Sequence, residues 1–337
     1  MKKQIGLLSL LLICTLPLVS CNSEQKVTVK DQNGVESVVT IKKSTDEEVI
    51  ANALMFASQA SYEGIDAFEN VASLKLDVGP NENEFIKLNT KITTSVCILE
   101  PYLNLHFKGE GTFKGISNTL PKDSFKGEIN FKMNDSLDRD PYFYIELKEE
   151  SSETKKPLRY KINSNQILEL IFGGIQFPSS PKALNNETSE TPIELPKPEE
   201  IIKAIQEFRK EMPNTKLEIT KVNDKEFNLV TTISFNDILK SNALPNEEVK
   251  LLEKDLFIKL GTSFSIKDGR IVKTTLEFDG KDGCEQIFEG NKNITKDARF
   301  KISYSSETHY IVPEINRITD NRKDLYIDLI TLIPTNE

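Results

Sequence analysis

Between Leu74 and Tyr160 the apolar residues recur every second position, and this period restricts the fold more than any other feature of the chain. Leu103, Leu105 and Phe107 share one parity, Ile129, Phe131 and Met133 a second set, and either Tyr142 and Tyr144 or their neighbours Phe143, Ile145 and Leu147 a third. Successive side chains of a strand point to opposite sides, so such a run predicts antiparallel strands with one apolar face and one polar face. An apolar face must be buried against something, and the rest of the chain has to supply the cover.

Helical spacing marks the candidate covers. Ser44-Thr45-Asp46-Glu47 has the form of a capping box and precedes a stripe at Val49, Ile50, Ala53, Leu54, Phe56, Ala57 and Ala60. Pro198-Glu199-Glu200 opens a second stripe at Ile201, Ile202, Ile205 and Phe208, stopped by Met212-Pro213. Pro245-Asn246-Glu247-Glu248 predicts a third helix through Val249, Leu251, Leu252 and Leu256.

Further strands are expected at Lys216–Thr220, Phe227–Phe235, Phe264–Val272 around the Asp268-Gly269 turn, Lys273–Phe278, Phe300–Tyr304 and Leu325–Ile333. Val27 to Ile41 reads as a hairpin about Asn33-Gly34, or as a stalk. The fold class is therefore α+β, a curved antiparallel sheet or half-barrel packed against a few helices.

The organisation read from these patterns is a signal peptide at 1–20, a tether or hairpin at 21–44 and a helix plus strands at 45–176. A linker or long loop follows at 177–198, where five of the fifteen prolines fall, and then helices plus strands at 199–337 that share one sheet with the first half.

Lys2 and Lys3 precede an apolar run from Ile5 to Leu18, too short to span a bilayer comfortably and broken by Pro17. Leu18-Val19-Ser20-Cys21 resembles the bacterial lipobox. That resemblance implies cleavage after Ser20, a diacylglycerol thioether on Cys21, and attachment to a membrane of the cell envelope. Asn22-Ser23-Glu24 lacks the aspartate that marks inner-membrane retention in enterobacterial lipoproteins, so the analogy favours the outer membrane.

Loss of Lys2 and Lys3 takes the net charge from -9 to -11, which argues against a nucleic-acid partner. Cys14 leaves with the signal, so Cys97 and Cys284 remain, as a disulfide or as one buried, inert thiol and one exposed thiol.

No constellation of reactive groups stands out, and the reading is of a protein that is not an enzyme and takes no cofactor. His106 falls in a strand, and neither it nor His309 has zinc-ligand or His-base spacing. Gly109-Glu110-Gly111-Thr112-Phe113-Lys114-Gly115 has the wrong gap for a phosphate-binding loop and reads as a turn or bulge. The acidic clusters Asp135–Asp140 and Asp279–Gly283 read as turns, not calcium loops.

The order of elements from Thr45 to Ile333 resembles that of the Lol-type and mycobacterial envelope lipid-carrier lipoproteins. Their plan implies a half-barrel with an apolar cavity for acyl chains. The candidate ligand face is Leu103, Leu105, Phe107, Ile129, Phe131, Ile233, Phe235 and Phe264. The partners expected are the membrane, through Cys21, together with a lipid ligand. The alternative is a surface-displayed structural lipoprotein that meets an envelope protein.

Overall fold

The computed structural model describes residues 24–30, 34–117, 120–136, 138–149, 156–164, 197–241, 251–280, 284–288, 294–295 and 297–328. The signal peptide, Cys21 and nearly all of the 177–198 linker lie outside them.

Two strands open the described chain, β1 (Gln25–Lys30) and β2 (Glu36–Ile41), followed by helix α1 (Glu47–Ser58). Six strands come next: β3 (Ala67–Gly79), β4 (Phe85–Cys97), β5 (Tyr102–Ser117), β6 (Leu120–Met133), β7 (Tyr142–Glu149) and β8 (Leu158–Asn163). Then come α2 (Pro198–Glu211), β9 (Lys216–Val222), β10 (Glu226–Ser234), α3 (Phe235–Ser241), β11 (Phe257–Ser265) and β12 (Ile271–Asp279). A 3-10 turn (Cys284–Phe288), β13 (Arg299–His309), α4 (Asp320–Lys323) and β14 (Ile327–Asp328) complete it.

The result is mostly sheet, with four α-helices among the described residues. Twelve strands form one open sheet in the order β14-β8-β7-β6-β5-β4-β3-β13-β12-β11-β10-β9, which does not close into a barrel. Strands from both sides of the Pro-rich segment thus share one sheet, joined where β13 pairs antiparallel with β3.

The main core sits at the β9 end. Val27, Val29 and Ile41 of the β1–β2 hairpin, Ile50, Ala53 and Leu54 of α1, and Ile205 of α2 pack onto Ile219, Phe227, Leu229 and Phe264. Glu47 of α1 ties the two helices together, accepting from Arg209 Nη1 at 2.8 Å and Gln206 Nε2 at 2.8 Å. The β11–β12 turn abuts α1. Gly269 there has φ 69°, and a Cβ on it would lie 2.8 Å from the Phe56 carbonyl oxygen, so only glycine fits.

Four local expectations are corrected. Asp46 caps α1 in place of Ser44, its Oδ1 accepting from Glu48 N and Val49 N, while Ser44 pairs through its backbone with Ile219 at the outer edge of β9. The predicted third helix is not helical over 251–256, and its start falls outside the described residues. A helix forms earlier instead, at Phe235–Ser241: the Asp255 carboxylate accepts from Ser234 Oγ and Asn236 N, and Ser234 Oγ accepts from Asp237 N, so β10 ends one residue before Phe235. Finally, Gly109–Gly115 is no turn: Gly109 to Lys114 are regular interior positions of β5, and only at Gly115, with φ 68°, does the expected irregularity appear, where the register against β6 shifts after Lys114.

Candidate functional site

Residues directly opposite in an antiparallel ladder project from the same face, so the registers assign every strand position to a side. From β10 to β6 the chain of partners runs Thr231↔Leu260↔Leu276↔Tyr304↔Leu74↔Thr90↔Gly109↔Gly127. Leu103, Leu105 and Phe107 share that side, opposite Met133, Phe131 and Ile129, which in turn oppose Phe143, Ile145 and Leu147. The ambiguous alternation in β7 is settled in favour of Phe143, Ile145 and Leu147, with Tyr142 and Tyr144 on the other face. Leu158, Tyr160 and Ile162 of β8 extend the apolar side to the far edge, and their own alternation in the sequence was the missed signal.

One apolar face therefore crosses the whole sheet, but its cover does not. At the β9 end Ile219, Phe227 and Leu229 are fully buried beneath α1 and α2. Among the described residues no helix lies over β5–β8 on this side, and there Leu105 is 38%, Ile129 42% and Leu158 58% exposed. The eight candidate face residues accordingly divide. Leu103, Leu105, Phe107, Ile129 and Phe131 line the open half, while Ile233 and Phe264 are 3% exposed core residues and are corrected to packing positions. Phe235 leaves the strand for α3 and lies 6.3 Å from the ring of Phe278.

A patch of glycines marks the open half. Gly109 and Gly127 are direct partners, and Gly111 faces Phe125. A Cβ on Gly111 would sit 2.4 Å from Phe125 Cε1, and one on Gly127 would sit 2.5 Å from the Lys148 carbonyl oxygen. The missing side chains let an aromatic ring lie over the backbone and a neighbouring strand approach closely. Beside them Phe131 and Phe143 stack at 4.8 Å.

The opposite face is polar and paired across strands. Glu128 accepts from Lys108 at 2.6 Å, with Lys148 at 3.7 Å and His106 at 3.9 Å. The Lys108 hydrogen bond holds the Glu128 carboxyl below its usual range despite partial burial. Lys301 pairs with Asp279 at 2.8 Å, and Arg159 with Glu146 at 3.2 Å.

After β13 the chain crosses this polar face from Tyr310 to Tyr326 and delivers β14 to the far edge, parallel to β8. Along the way Asn316 N donates to Tyr102 Oη, and Tyr326 stands edge-on to Tyr144. Tyr144 Oη donates to Asp140, which also pairs with Lys323 at 2.9 Å, so burial and that carboxylate hold the Tyr144 phenol far above its ordinary range.

His106 lies on the polar face beside Glu128. Asp140, the last member of the Asp135–Asp140 cluster, is committed to Tyr144 and Lys323. Most of Asp279–Gly283 falls outside the described residues. Cys97 and Cys284 are both buried and free, so the disulfide does not form. Cys97 packs with Ala67 and Tyr102, whereas the Cys284 thiol donates to the Ala298 carbonyl and burial raises its pKa. No helix among the described residues is long and apolar enough to cross a membrane.

No family model matches this chain, and no curated protein matches it.

Proposed function

We propose that this is a lipid-anchored protein of the cell envelope that works by binding rather than catalysis, taking the acyl chains of a lipid along the open half of its apolar sheet face. Leu105, Ile129 and Leu158 carry the reading, because they stand exposed on the same face whose other half is fully buried under helices. Contiguous exposed apolar surface on an otherwise ordinary globular chain marks a site of interaction. We read the sheet as curved toward this face, in keeping with the glycine patch, where the crowding at Gly111 and Gly127 permits close approach. A lipid on Cys21, four residues before β1 (Gln25–Lys30), would keep the face near the bilayer.

A second reading, a partner-binding envelope lipoprotein, is favoured by one observation. Two depressions on the β3–β6 part of the sheet are lined mostly by polar-face side chains, and neither includes Leu105, Ile129 or Leu158.

Titration of residues 22–337 with a fluorescent fatty acid decides between them. Saturable binding that Leu105→Ser and Ile129→Ser weaken supports the lipid reading. Absence of saturable binding by a folded protein removes it in favour of the second. Mass spectrometry of the membrane-extracted protein, with Cys21→Ser as control, tests the anchor separately.

A further inference from the structure

The polar face carries a local conflict that the fold does not need. Lys91 of β4 stands directly across from Lys108 of β5, and like charges directly opposed on neighbouring strands destabilise a sheet. Lys108 is relieved by Glu128 on its other side, but Lys91 has only Ser73 there, and neither Lys91 nor Lys75 forms an ion pair with a described residue. Both lysines line adjoining depressions of about 500 Å³ and 640 Å³, within the size range of ligand sites. Together these are bordered by five lysines against three carboxylates, although the chain as a whole carries a net charge of -9. The floor is hydroxylic. Ser73 Oγ and Ser305 Oγ lie 3.2 Å apart, and their single mutual bond leaves one hydroxyl hydrogen for a ligand.

We propose that this part of the polar face is a recognition site for a soluble polyanion, a sulfated polysaccharide, whose successive sulfate esters meet the Lys91–Lys108 pair and Lys75. A bound oxyanion turns the repulsion between Lys91 and Lys108 into two charge-assisted contacts, and two neighbouring depressions suit a chain of anions better than a single ion. A flat bilayer fits less well. The lysines border a recess that also carries Glu110 and Glu307, which a flexible chain can enter and a planar layer of head groups cannot. The site is independent of the apolar face, because the two lie on opposite sides of the sheet.

Calorimetric titration of residues 22–337 with dextran sulfate, against neutral dextran and phosphatidylglycerol vesicles, tests the proposal. Saturable binding to dextran sulfate is expected, weakening as salt rises from about 50 to about 300 mM. The Lys75→Gln/Lys91→Gln variant loses binding about tenfold or more, while Lys267→Gln at the β11–β12 turn leaves it unchanged. Because Lys91 faces Lys108, Lys91→Gln melts no lower than the unaltered protein, which separates lost binding from lost folding. No saturable binding, full binding by the double variant, or binding confined to the vesicles overturns the proposal.

Discussion

Asn134 and Ile318 hold each other through two hydrogen bonds: Asn134 Nδ2 donates to the Ile318 carbonyl at 2.6 Å, and Ile318 N donates to Asn134 Oδ1 at 2.7 Å. The side-chain amide acts as a one-residue strand partner and fixes the crossing segment 184 residues downstream of it. Ile318 is 4% exposed, so its backbone groups have no easy recourse to water.

Asn134→Leu keeps the size and removes both bonds, leaving a buried N–H and C=O unpaired. A loss of about 2–5 kcal/mol is expected at up to about 3 kcal/mol per orphaned group. Urea unfolding measures it, and hydrogen exchange reports the amide of residue 318. Unchanged stability with Ile318 still protected would show that the segment is held by other contacts.

Two large apolar residues of the same face should differ in cost. Phe227 is fully buried beneath α1, so Phe227→Ala is expected to lose about 3–5 kcal/mol. Leu105 is 38% exposed and lacks that cover, so Leu105→Ala should lose roughly 1 kcal/mol. Equal losses in chemical denaturation would mean that the open half is as tightly packed as the covered half.

The glycines make a graded prediction. Gly127→Ala forces a methyl against the Lys148 carbonyl oxygen, a backbone atom with little room to yield, and overpacking of this kind costs about 1–3 kcal/mol. Gly34→Ala meets no atom within 4 Å and carries only the left-handed backbone strain of its φ of 76°, about 1 kcal/mol. Thermal melts of the two variants should rank in that order.

Glu128 gives the acid limb of stability a specific contributor. Its folded pKa is lowered by Lys108, so its stabilising effect is present above the unfolded carboxylate pKa and is lost as pH falls through the folded one. Lys323 works in the opposite range. Asp140 and Asp320 raise its pKa, so its contribution is complete below the ordinary lysine value and disappears as pH rises through the raised one. Glu128→Gln should flatten the dependence of melting temperature on pH in the acid range and leave the alkaline side as it was. A parallel curve for the variant would assign acid sensitivity to other carboxylates.

Much of the sheet was legible in the sequence because period two is a local property. Leu103–Phe107, Ile129–Met133 and the Asp268-Gly269 turn carry their strands within a few residues. What was not legible depends on distant partners. Phe235 has every mark of a strand residue, yet Asp255 supplies the cap that turns the chain into a helix there. Gly109 and Gly111 look like turn residues in isolation and make sense inside a strand only once Phe125 and Gly127 lie across from them. Seven of the eight candidate residues, all but Phe235, do share one side of the sheet, but which half of it is covered is decided by where α1 and α2 land, and no residue within β5 or β6 records that.

The pairing of β13 with β3 also orders events in time. Arg299 meets Gly79 and His309 meets Glu69, so the seam at the centre of the sheet cannot close until almost the whole chain is available. Contacts of such separation slow folding, and until they form the two halves wait with the edges of β3 and β12 unpaired and open to wrong partners. A chain truncated before residue 299 is therefore expected to aggregate rather than persist as a smaller domain.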